Sequence, residues 1–288
     1  MTTTAEALAG SRETVRVSPV TSPSRGARRR LRAFAEAVGL GMSGALALGI
    51  LWQLVAMKAH DVPTPVESLT ALRHLLAKPF YDNGPNDKGI ALQLRYSLQR
   101  VFSGFALAAL VGVPAGFVFG SSRRAQQALN PIVQLLRPVS PLAWFPIWLV
   151  AFRNAPQAAV FVIFITALWP TLLNTASGAQ SVPRDQRNVA RVYTFGRLAY
   201  LRHVLLPHAM PDIVTGLRLS MGLAWVVIVA VEMLSNGTGI GSFVWIAYNA
   251  GDLAQVAAGI LVIGIVGLLL DFAFLRLQRA VTVAEVHS

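Results

Sequence analysis

Residues 101–120 read VFSGFALAALVGVPAGFVFG, a stretch without a charged side chain. About 20 apolar residues in a helix are long enough to cross the hydrocarbon core of a bilayer. Because no water is available at that depth, such a segment must satisfy its own backbone hydrogen bonds, and a helix does so. The stretch therefore predicts an all-α integral membrane protein.

Further apolar stretches predict about six transmembrane helices in total. The other five lie near residues 38–57, 132–152, 157–175, 217–234 and 253–275. The arginines before the first stretch are also typical of a signal peptide, but this apolar run is longer than a usual signal core of about 7–15 residues. We therefore predict an uncleaved first span. The composition agrees, since only 13% of the residues are charged, against about 25% in soluble domains.

The basic residues lie on one side of the predicted spans. The net charge of +12 would suggest nucleic-acid binding in a soluble protein, but here the arginines flank apolar segments, so we expect a lipid bilayer and no nucleic acid as the partner. Cytoplasmic loops carry such an excess of Arg and Lys, which predicts an N-in, C-in orientation. The predicted domains are a flexible basic tail (1–34), a transmembrane domain (35–280) with a cytoplasmic segment (181–210), and a C-terminal tail (281–288).

The sequence lacks the common signatures of catalysis and metal binding. It contains no cysteine, which excludes disulfides and thiolate metal sites, and its five histidines show no metal-ligand spacing. The phosphate loop G-x-x-x-x-G-K-[ST] and the hydrolase motifs H-E-x-x-H and G-x-S-x-G are absent. We expect no catalytic, metal or cofactor-binding residue on this chain.

Gly112, Gly116 and Gly120 recur at every fourth residue of the second predicted span. Small residues at this spacing let two helix backbones approach closely in a membrane. The pattern predicts a helix-packing seam, either within one chain or between two copies in a dimer.

Residues 136–146, LRPVSPLAWFP, contain three prolines inside the third predicted span. Proline interrupts the helical hydrogen-bond ladder, and broken helices at membrane depth are tolerated where they are buried or line a water-filled path. Arg137 lies at this break, and a cation within or beside a span is a functional candidate, although it also fits a cytoplasmic anchor. Arg137 and Ser140 are our candidates for a translocation path.

Residues 184–207 are polar and helix-like between two apolar spans. Pro183 can begin a helix in which Val189 and Tyr193 share one face while Arg187 and Arg191 lie roughly opposite. We expect Pro207 to end that helix and turn the chain into the next span.

Residues 188–207, NVARVYTFGRLAYLRHVLLP, resemble the cytoplasmic loop in membrane subunits of ATP-binding-cassette importers that work with a binding protein. That loop carries EAA, three residues, Gly, nine residues and I-x-L-P. In this frame Ala190, Leu206 and Pro207 match and Val204 is conservative, whereas Asn188, Val189 and Thr194 depart from the pattern. SLQRVFSGFALAALVGVPAGFVFG, LRPVSPLAWFPIWLV and GLRLSMGLAWVVIVAVEMLSNGTGIG look like the nitrate, sulfonate and taurine branch. KPFYDNGPNDKGI looks like its nitrate/nitrite/cyanate group.

The resemblance implies a permease subunit with the binding-protein-dependent inner-membrane fold, in the bacterial cytoplasmic membrane. It implies ATPase subunits that bind ATP and magnesium, a periplasmic solute-binding protein, and a second permease subunit, expected to make a homodimer. The implied cargo is a small anion, nitrate or nitrite. The residues expected to couple the chain to the ATPase are Arg187, Val189, Ala190, Arg191, Tyr193, Thr194, Leu198, Val204, Leu206 and Pro207.

Three alternatives remain open from the sequence. The same architecture could import sulfonate, taurine or another small anion. A stand-alone channel or ion-coupled carrier would need buried acids or histidines along a relay, and Glu232 and Asp271 lie near span ends instead. A membrane enzyme would need a catalytic set, which the sequence does not offer.

Overall fold

A computed structural model describes residues 23–59, 61–84, 87–235 and 237–286. Within these ranges the chain is helical apart from turns and one isolated β-bridge between Asp82 and Lys88. The predicted all-α class is confirmed. The chain divides into two units, of which the first contains α1 (Pro23–Lys58) and the second begins at Ala59.

In the first unit, the part of α1 from Gly39 to Lys58 is apolar and long enough to cross a membrane. The sequence predicts a flexible tail up to residue 34, but the helix already begins at Pro23. Residues 23–34 contain five Arg and two Ala, which are good helix formers and extend the apolar helix toward the N-terminus. The rest of the predicted tail, residues 1–22, lies outside the described residues.

Four further helices of the second unit are long and apolar enough to cross a membrane. They are α3 (Ile90–Ser121), α6 (Ala155–Gln180), the helix Leu198–Ser235 that contains α9 (Leu206–Ser235), and Leu253–Val281 within α11 (Leu253–Val286). Together with α1 they make five spans among the described residues, or six if one bent pair counts as a span. Because α11 continues to Val286, most of the predicted C-terminal tail is helical, and residues 287–288 lie outside the described residues.

The third predicted span is a bent pair of helices rather than one straight helix. The axes of α4 (Arg123–Leu136) and α5 (Pro141–Phe152) meet at 93°. The bend lies at residues 137–140, where Pro138 and Pro141 cannot supply backbone N–H groups to a continuous ladder. The break that the prolines predict within this span is confirmed.

The core of the second unit lies between α3, α6 and α9. Val101, Val162, Ile163 and Ile228 are fully buried there. The hydroxyls of Thr171 and Ser220 pair within this core at 2.7 Å, whereas the buried Nε1 of Trp148 has no hydrogen-bond partner among the described residues. Side-chain packing among these three helices therefore fixes the positions of the other elements.

The order of contacts gives the helix directions. α3 and α6 run the same way, because Gly104 lies beside Ile163 and Gly116 beside Thr175. α9 runs back, because Gly178 near the end of α6 lies beside Ala209 near the start of α9. α11 again runs like α6, because Arg218 and Trp225 of α9 bond to Asp271 and Ile263 in turn. The ends of α3 and α6 and the start of α9 therefore lie together, beside α7 (Arg184–Val192). We call this end of the bundle the α7 end. The opposite, far end carries α2 (Pro65–Ala77) and α10 (Ile240–Asn249).

Candidate functional site

α7 is a short polar helix that leads the chain from α6 to α9. Pro183 is its N-cap, Asp185 lies in its first turn and Arg191 in its last, so both charges suit the helix dipole. A helix of nine residues is too short to be stable alone in water. The rest of the chain must therefore hold it in place.

Arg187 ties α7 to the end of α6. Its guanidinium donates to the carbonyl of Val182 from Nε at 3.0 Å and from Nη2 at 2.6 Å, and to the carbonyl of Gln180 at 3.0 Å. The last carbonyls of a helix lack intrahelical partners, and an arginine satisfies them well. The sequence assigns Arg187 to a partner, but this guanidinium is engaged within its own chain.

Ala190 is the second anchor of α7. It is 5% exposed and faces the chain rather than solvent. Cavities of ≈ 670 Å³ and ≈ 870 Å³ that share Ala190 in their walls flank the helix. The expectation that the small side chain of Ala190 lets a partner approach closely is not met by this orientation, because the helix turns Ala190 inward.

Thr194 ends α7 in a left-handed conformation, with φ +50°. The N–H of Phe195 donates to the carbonyl of Ala190 and that of Thr194 to the carbonyl of Arg191, each at 3.0 Å. These two bonds are a Schellman motif, in which the left-handed residue is usually glycine. Thr194 occupies the glycine position of the family pattern, so the backbone keeps the turn although the side chain is β-branched.

The outward face of α7 and the following turn carries an exposed apolar patch. It consists of Val189, Val192, Tyr193, Phe195 and Leu198, which are 54%, 79%, 70%, 42% and 77% exposed. A contiguous apolar surface of this kind marks an interaction site. The sequence pattern predicts Val189, Tyr193 and Leu198 in this role, whereas Val192 and Phe195 were missed because the face is set by the turn at Thr194.

Pro207 does not end the helix, as the sequence predicts. After α8 (Arg197–Tyr200), a π-helical turn at Leu201–Leu205 runs directly into α9, and the whole segment Leu198–Ser235 is continuous. The N–H of Leu206 bonds to the carbonyl of Leu201, five residues back. A π-turn widens the helix locally, and Pro207 directly follows this widened turn, so the helix continues through the proline.

Val204 and Leu206, the remaining predicted coupling residues, lie at this junction. Val204 packs against a small buried cluster of Ala179, Val182 and Leu205. Leu206 is half-buried at the start of α9. These residues join α6 to α9 rather than contribute to the exposed apolar patch.

Arg137 and Ser140 lie at the bend between α4 and α5. Both are exposed, Arg137 as the C-cap of α4 and Ser140 as the N-cap of α5. The hydroxyl of Ser140 makes no capping hydrogen bond. The structure thus brings together the two residues predicted to lie along a path.

Gly112, Gly116 and Gly120 face α6 of the same chain. A Cβ on Gly116 would lie 2.6 Å from Cβ of Thr175, and one on Gly120 would lie 2.5 Å from the carbonyl oxygen of Ala176. Gly112 lies beside Thr171. The close approach predicted by the glycine spacing therefore occurs within the chain, between α3 and α6.

Glu232, at the far end of α9, is the centre of a buried polar network that sequence reasoning missed. Its carboxylate accepts hydrogen bonds from Arg100 (2.6 Å), Ser97 (2.7 Å) and the N–H of Gly241 (3.1 Å). Arg100 also donates to the carbonyl and hydroxyl oxygens of Thr238. The signal in the sequence is the spacing of Gln93, Ser97 and Arg100, which places three polar side chains on one face of an apolar helix.

The same network fixes the turn from α9 to α10. The N–H of Gly239 donates to Gln93 at 2.6 Å, and the N–H of Ile240 donates to Ser97 at 2.8 Å. Gly239 has φ +131°, and a Cβ there would lie 2.1 Å from the Glu232 carboxyl carbon. Only glycine fits, because the backbone is left-handed and passes directly over the carboxylate.

In the segment that carries the resemblance to the nitrate group, the described residues on the two sides of 85–86 contact each other at the far end. The N–H of Gly89 donates to the carbonyl of Tyr81 at 2.7 Å, and Asp82 forms an ion pair with Lys88. Hydrogen bonds from Lys88 and from the Gly84 N–H lower the pKa of Asp82. Burial and then the neighbouring Asp87 raise the pKa of Tyr81. These polar contacts hold together the described residues that flank 85–86.

Residues 108–283 match the family model described as "Binding-protein-dependent transport system inner membrane component". This range contains the bent pair, the α7 segment and Glu232, whereas the network partners Gln93, Ser97 and Arg100 precede it.

Curated relatives match most of the chain. The nitrate import permease protein NrtB of Synechocystis sp. is 46% identical over 82% of this chain and 86% of its own length. The bicarbonate transport system permease protein CmpB of Synechococcus elongatus is 44% identical over 85% and 89%. The taurine transport system permease protein TauC of Escherichia coli is 31% identical over 83% and 86%.

A solved structure shares the fold. The methionine ABC transporter MetNI in an inward-facing conformation gives a TM-score of 0.61 at 18% identity, covering 67% of this chain and 95% of the matched chain. At this identity the similarity concerns the arrangement of helices alone.

Proposed function

The chain belongs to the family of binding-protein-dependent transport system inner membrane components, and from that premise we propose that it forms the path by which an ATP-driven importer moves nitrate or nitrite across the membrane. As a multi-pass inner-membrane permease it works in a family whose members depend on an ATPase and a binding protein. The single observation that carries the cargo is the identity of 46% to a nitrate import permease over most of both chains.

The distribution of charge supports an anionic cargo. Between Asp87 and Asp185 the sequence contains no acidic residue. The same stretch carries Lys88, Arg95, Arg100, Arg123, Arg124, Arg137, Arg153 and Arg184. Lys88 and Arg100 are paired with Asp82 and Glu232, and the remaining arginines favour an anion beside α3, the bent pair and α6.

We assign the contact with the ATPase to the apolar patch of Val189, Val192, Tyr193, Phe195 and Leu198. An amphipathic helix that lays such a face into a groove is a recurrent recognition mode. Arg187 joins α7 to the end of α6, and the π-turn joins it to α9. Movement of an ATPase groove would therefore displace α6 and α9 without an intervening flexible loop. A conformational shift requires that the groove contact α7 differently in the two states of the transporter.

Two permease subunits enclose the path, and we propose that both are copies of this chain. The five or six candidate spans among the described residues make a thin wall around a path, so we expect a second subunit to complete it. The ATPase subunits bind ATP and magnesium, so this chain contributes no hydrolytic residue. The proposed orientation places both the N- and C-terminus and α7 in the cytoplasm.

The test uses proteoliposomes that contain this chain, its ATPase and its binding protein. We expect isotope-labelled nitrate to accumulate only when ATP is present on the α7 side, and an excess of unlabelled nitrite to compete. Uptake at full rate without the ATPase would contradict the importer and favour a channel or an ion-coupled carrier.

Bicarbonate is the second candidate cargo, because the bicarbonate permease CmpB is 44% identical over 85% of this chain. Taurine is less favoured, since TauC is 31% identical. Competition at equal concentrations of nitrate, bicarbonate and taurine separates the three. Stronger competition by bicarbonate or taurine than by unlabelled nitrate would overturn the nitrate assignment and leave the architecture intact.

A further inference from the structure

α4 carries a continuous polar stripe in a segment that otherwise belongs to the membrane. The stripe consists of Arg123, Gln127, Asn130, Gln134 and Arg137, which follow one another at intervals of four, three, four and three residues. At 3.6 residues per turn these side chains share one face of the helix. All five are exposed, and from end to end they extend along about 21 Å of helix.

The opposite face of α4 is apolar. It carries Ala128, Leu129, Ile132 and Leu136, and Leu129 and Ile132 are 40% and 50% exposed. A helix with this division needs lipid or apolar protein on one side and water on the other. The two faces of α4 therefore meet two different environments.

The chain itself does not cover the polar stripe. Among the described residues of α4, Val133 is the one that is buried. The hydrogen bond that links α4 to α3, from Gln126 to the carbonyl of Gly120 at 3.3 Å, comes from a residue beside the stripe. The bend of 93° to α5 turns α4 away from the packed core. The polar face of α4 is therefore open to water and to a solute.

The chemistry of the stripe fits a small oxyanion. Guanidinium groups stand at both ends, and between them the amide groups of Gln127, Asn130 and Gln134 offer N–H donors without a net charge. Donors of this kind replace part of a hydration shell, and neutral ones avoid a deep well that would slow release. No carboxylate lies nearby in sequence, since Asp87 and Asp185 are the nearest acids.

We propose that this stripe of α4 lines the route of the anion through the membrane. The identity of the anion rests on the proposed function, whereas the position of the route does not. The competing arrangement places α4 flat on the inner surface of the bilayer, with the stripe in contact with bulk cytoplasm. The two arrangements differ in whether access to the stripe changes as the transporter works.

The chain has no native cysteine, so the labelling of a single introduced cysteine has no background from this chain. Gln127→Cys, Asn130→Cys and Gln134→Cys probe the stripe, and Leu129→Cys and Ile132→Cys are matched controls on the opposite face. Each variant, assembled with its ATPase and binding protein in proteoliposomes, is treated with a charged thiol reagent that does not cross membranes. Labelling is measured in the resting complex and in the complex trapped with ATP and vanadate.

We expect the stripe cysteines to react in one state and to be protected at least about tenfold in the other, since a path opens to one side at a time. The control cysteines should react slowly in both states. Equal labelling of the stripe in both states would overturn the proposal and place α4 at the bulk interface. Faster labelling of the control face would overturn it as well.

A second variant tests the charge. Gln134→Glu places an acid within the stripe, and we expect the rate of nitrate uptake to fall by about tenfold or more while ATP hydrolysis stimulated by the binding protein persists. Gln134→Asn, which keeps a neutral amide at the same position, is the control and should reduce uptake less. Equal losses in both variants would count against the stripe.

These outcomes separate the two proposals. If the labelling is state-dependent but bicarbonate or taurine is imported in place of nitrate, the route stands and the cargo is wrong. If nitrate is imported but the stripe is labelled equally in both states, the cargo stands and the route lies elsewhere.

Discussion

The far end of α9 and its α7 end are held in opposite ways. At the far end, the carboxylate of Glu232 is fully buried and accepts three hydrogen bonds. At the α7 end, α7 is anchored through Arg187 and Ala190, has cavities on both sides, and exposes apolar side chains. At the far end, contacts within the chain fix the turn from α9 to α10. At the α7 end, apolar side chains stay exposed where we expect a partner to bind.

The largest effect should come from breaking the network at the far end. Arg100→Ala leaves the carboxylate of Glu232 buried without its counter-charge, and we expect a loss of about 3–5 kcal/mol in the free energy of unfolding. Thermal unfolding of the purified protein in detergent measures the change. Arg218→Ala is the matched control, because its partner Asp271 is half-exposed and exposed pairs contribute about 0–1 kcal/mol. Equal destabilisation by the two variants would contradict the contrast.

The close packing of α3 against α6, between the two ends of the bundle, should give the next largest effect on stability. Gly116→Ala places a Cβ 2.6 Å from Thr175, and we expect about 1–3 kcal/mol of destabilisation from overpacking. Gly222→Ala on α9 is the control, since no atom lies within 4 Å of its added Cβ and alanine is the better helix former. Unfolding midpoints should fall in the first variant and stay constant or rise in the second. An unchanged midpoint for Gly116→Ala would show that α3 and α6 separate easily.

A charge on the apolar patch should affect transport rather than stability. Val192 is 79% exposed, so Val192→Glu leaves the fold intact and introduces a charge that a docking groove would have to bury. We expect uptake to fall by about tenfold or more, which corresponds to the loss of one central interface contact.

Ala190→Glu provides the comparison for that experiment. Its side chain is buried, so we expect this variant to lower both transport and the unfolding midpoint. Normal ATP-driven uptake by Val192→Glu would contradict the role of the patch. If the unfolding midpoint fell in Val192→Glu but not in Ala190→Glu, the patch would be covered by the chain itself.

The smallest effect concerns the turn at Thr194. A non-glycine residue in the left-handed region costs about 1–2 kcal/mol, so Thr194→Gly should stabilise the end of α7 by about 1 kcal/mol. Slower hydrogen exchange of the Phe195 amide, which bonds to Ala190, would report the gain, and Thr194→Asn should lie between the two. Faster exchange in Thr194→Gly would show that the threonine side chain itself stabilises the turn.

The spans were predictable because apolar length and composition determine them locally. About 20 apolar residues make a span whatever lies beside them, and the prolines at 138 and 141 signal the break between α4 and α5. The amphipathic character of α7 was also predictable from its spacing. Its orientation was not, because the burial of Ala190 depends on Arg187 reaching two carbonyls at the end of α6.

The network around Glu232 could not be predicted from local pattern alone. Arg100 and Glu232 are 132 positions apart in the chain, and many acid and base pairs are compatible with the sequence. Pro207 illustrates the same limit, since a proline often ends a helix, but the π-turn before it lets the helix continue.

By itself the sequence determined that this protein is a bundle of membrane helices with a polar segment between two of them, because lipid leaves an apolar stretch no alternative to a helix. The tertiary structure alone decided which side chains of that segment face inward, which glycines contact α6, and that Glu232 of α9 pairs with Arg100. Those outcomes depend on contacts between residues far apart in the chain, and a contact forms only where packing brings both partners to one place.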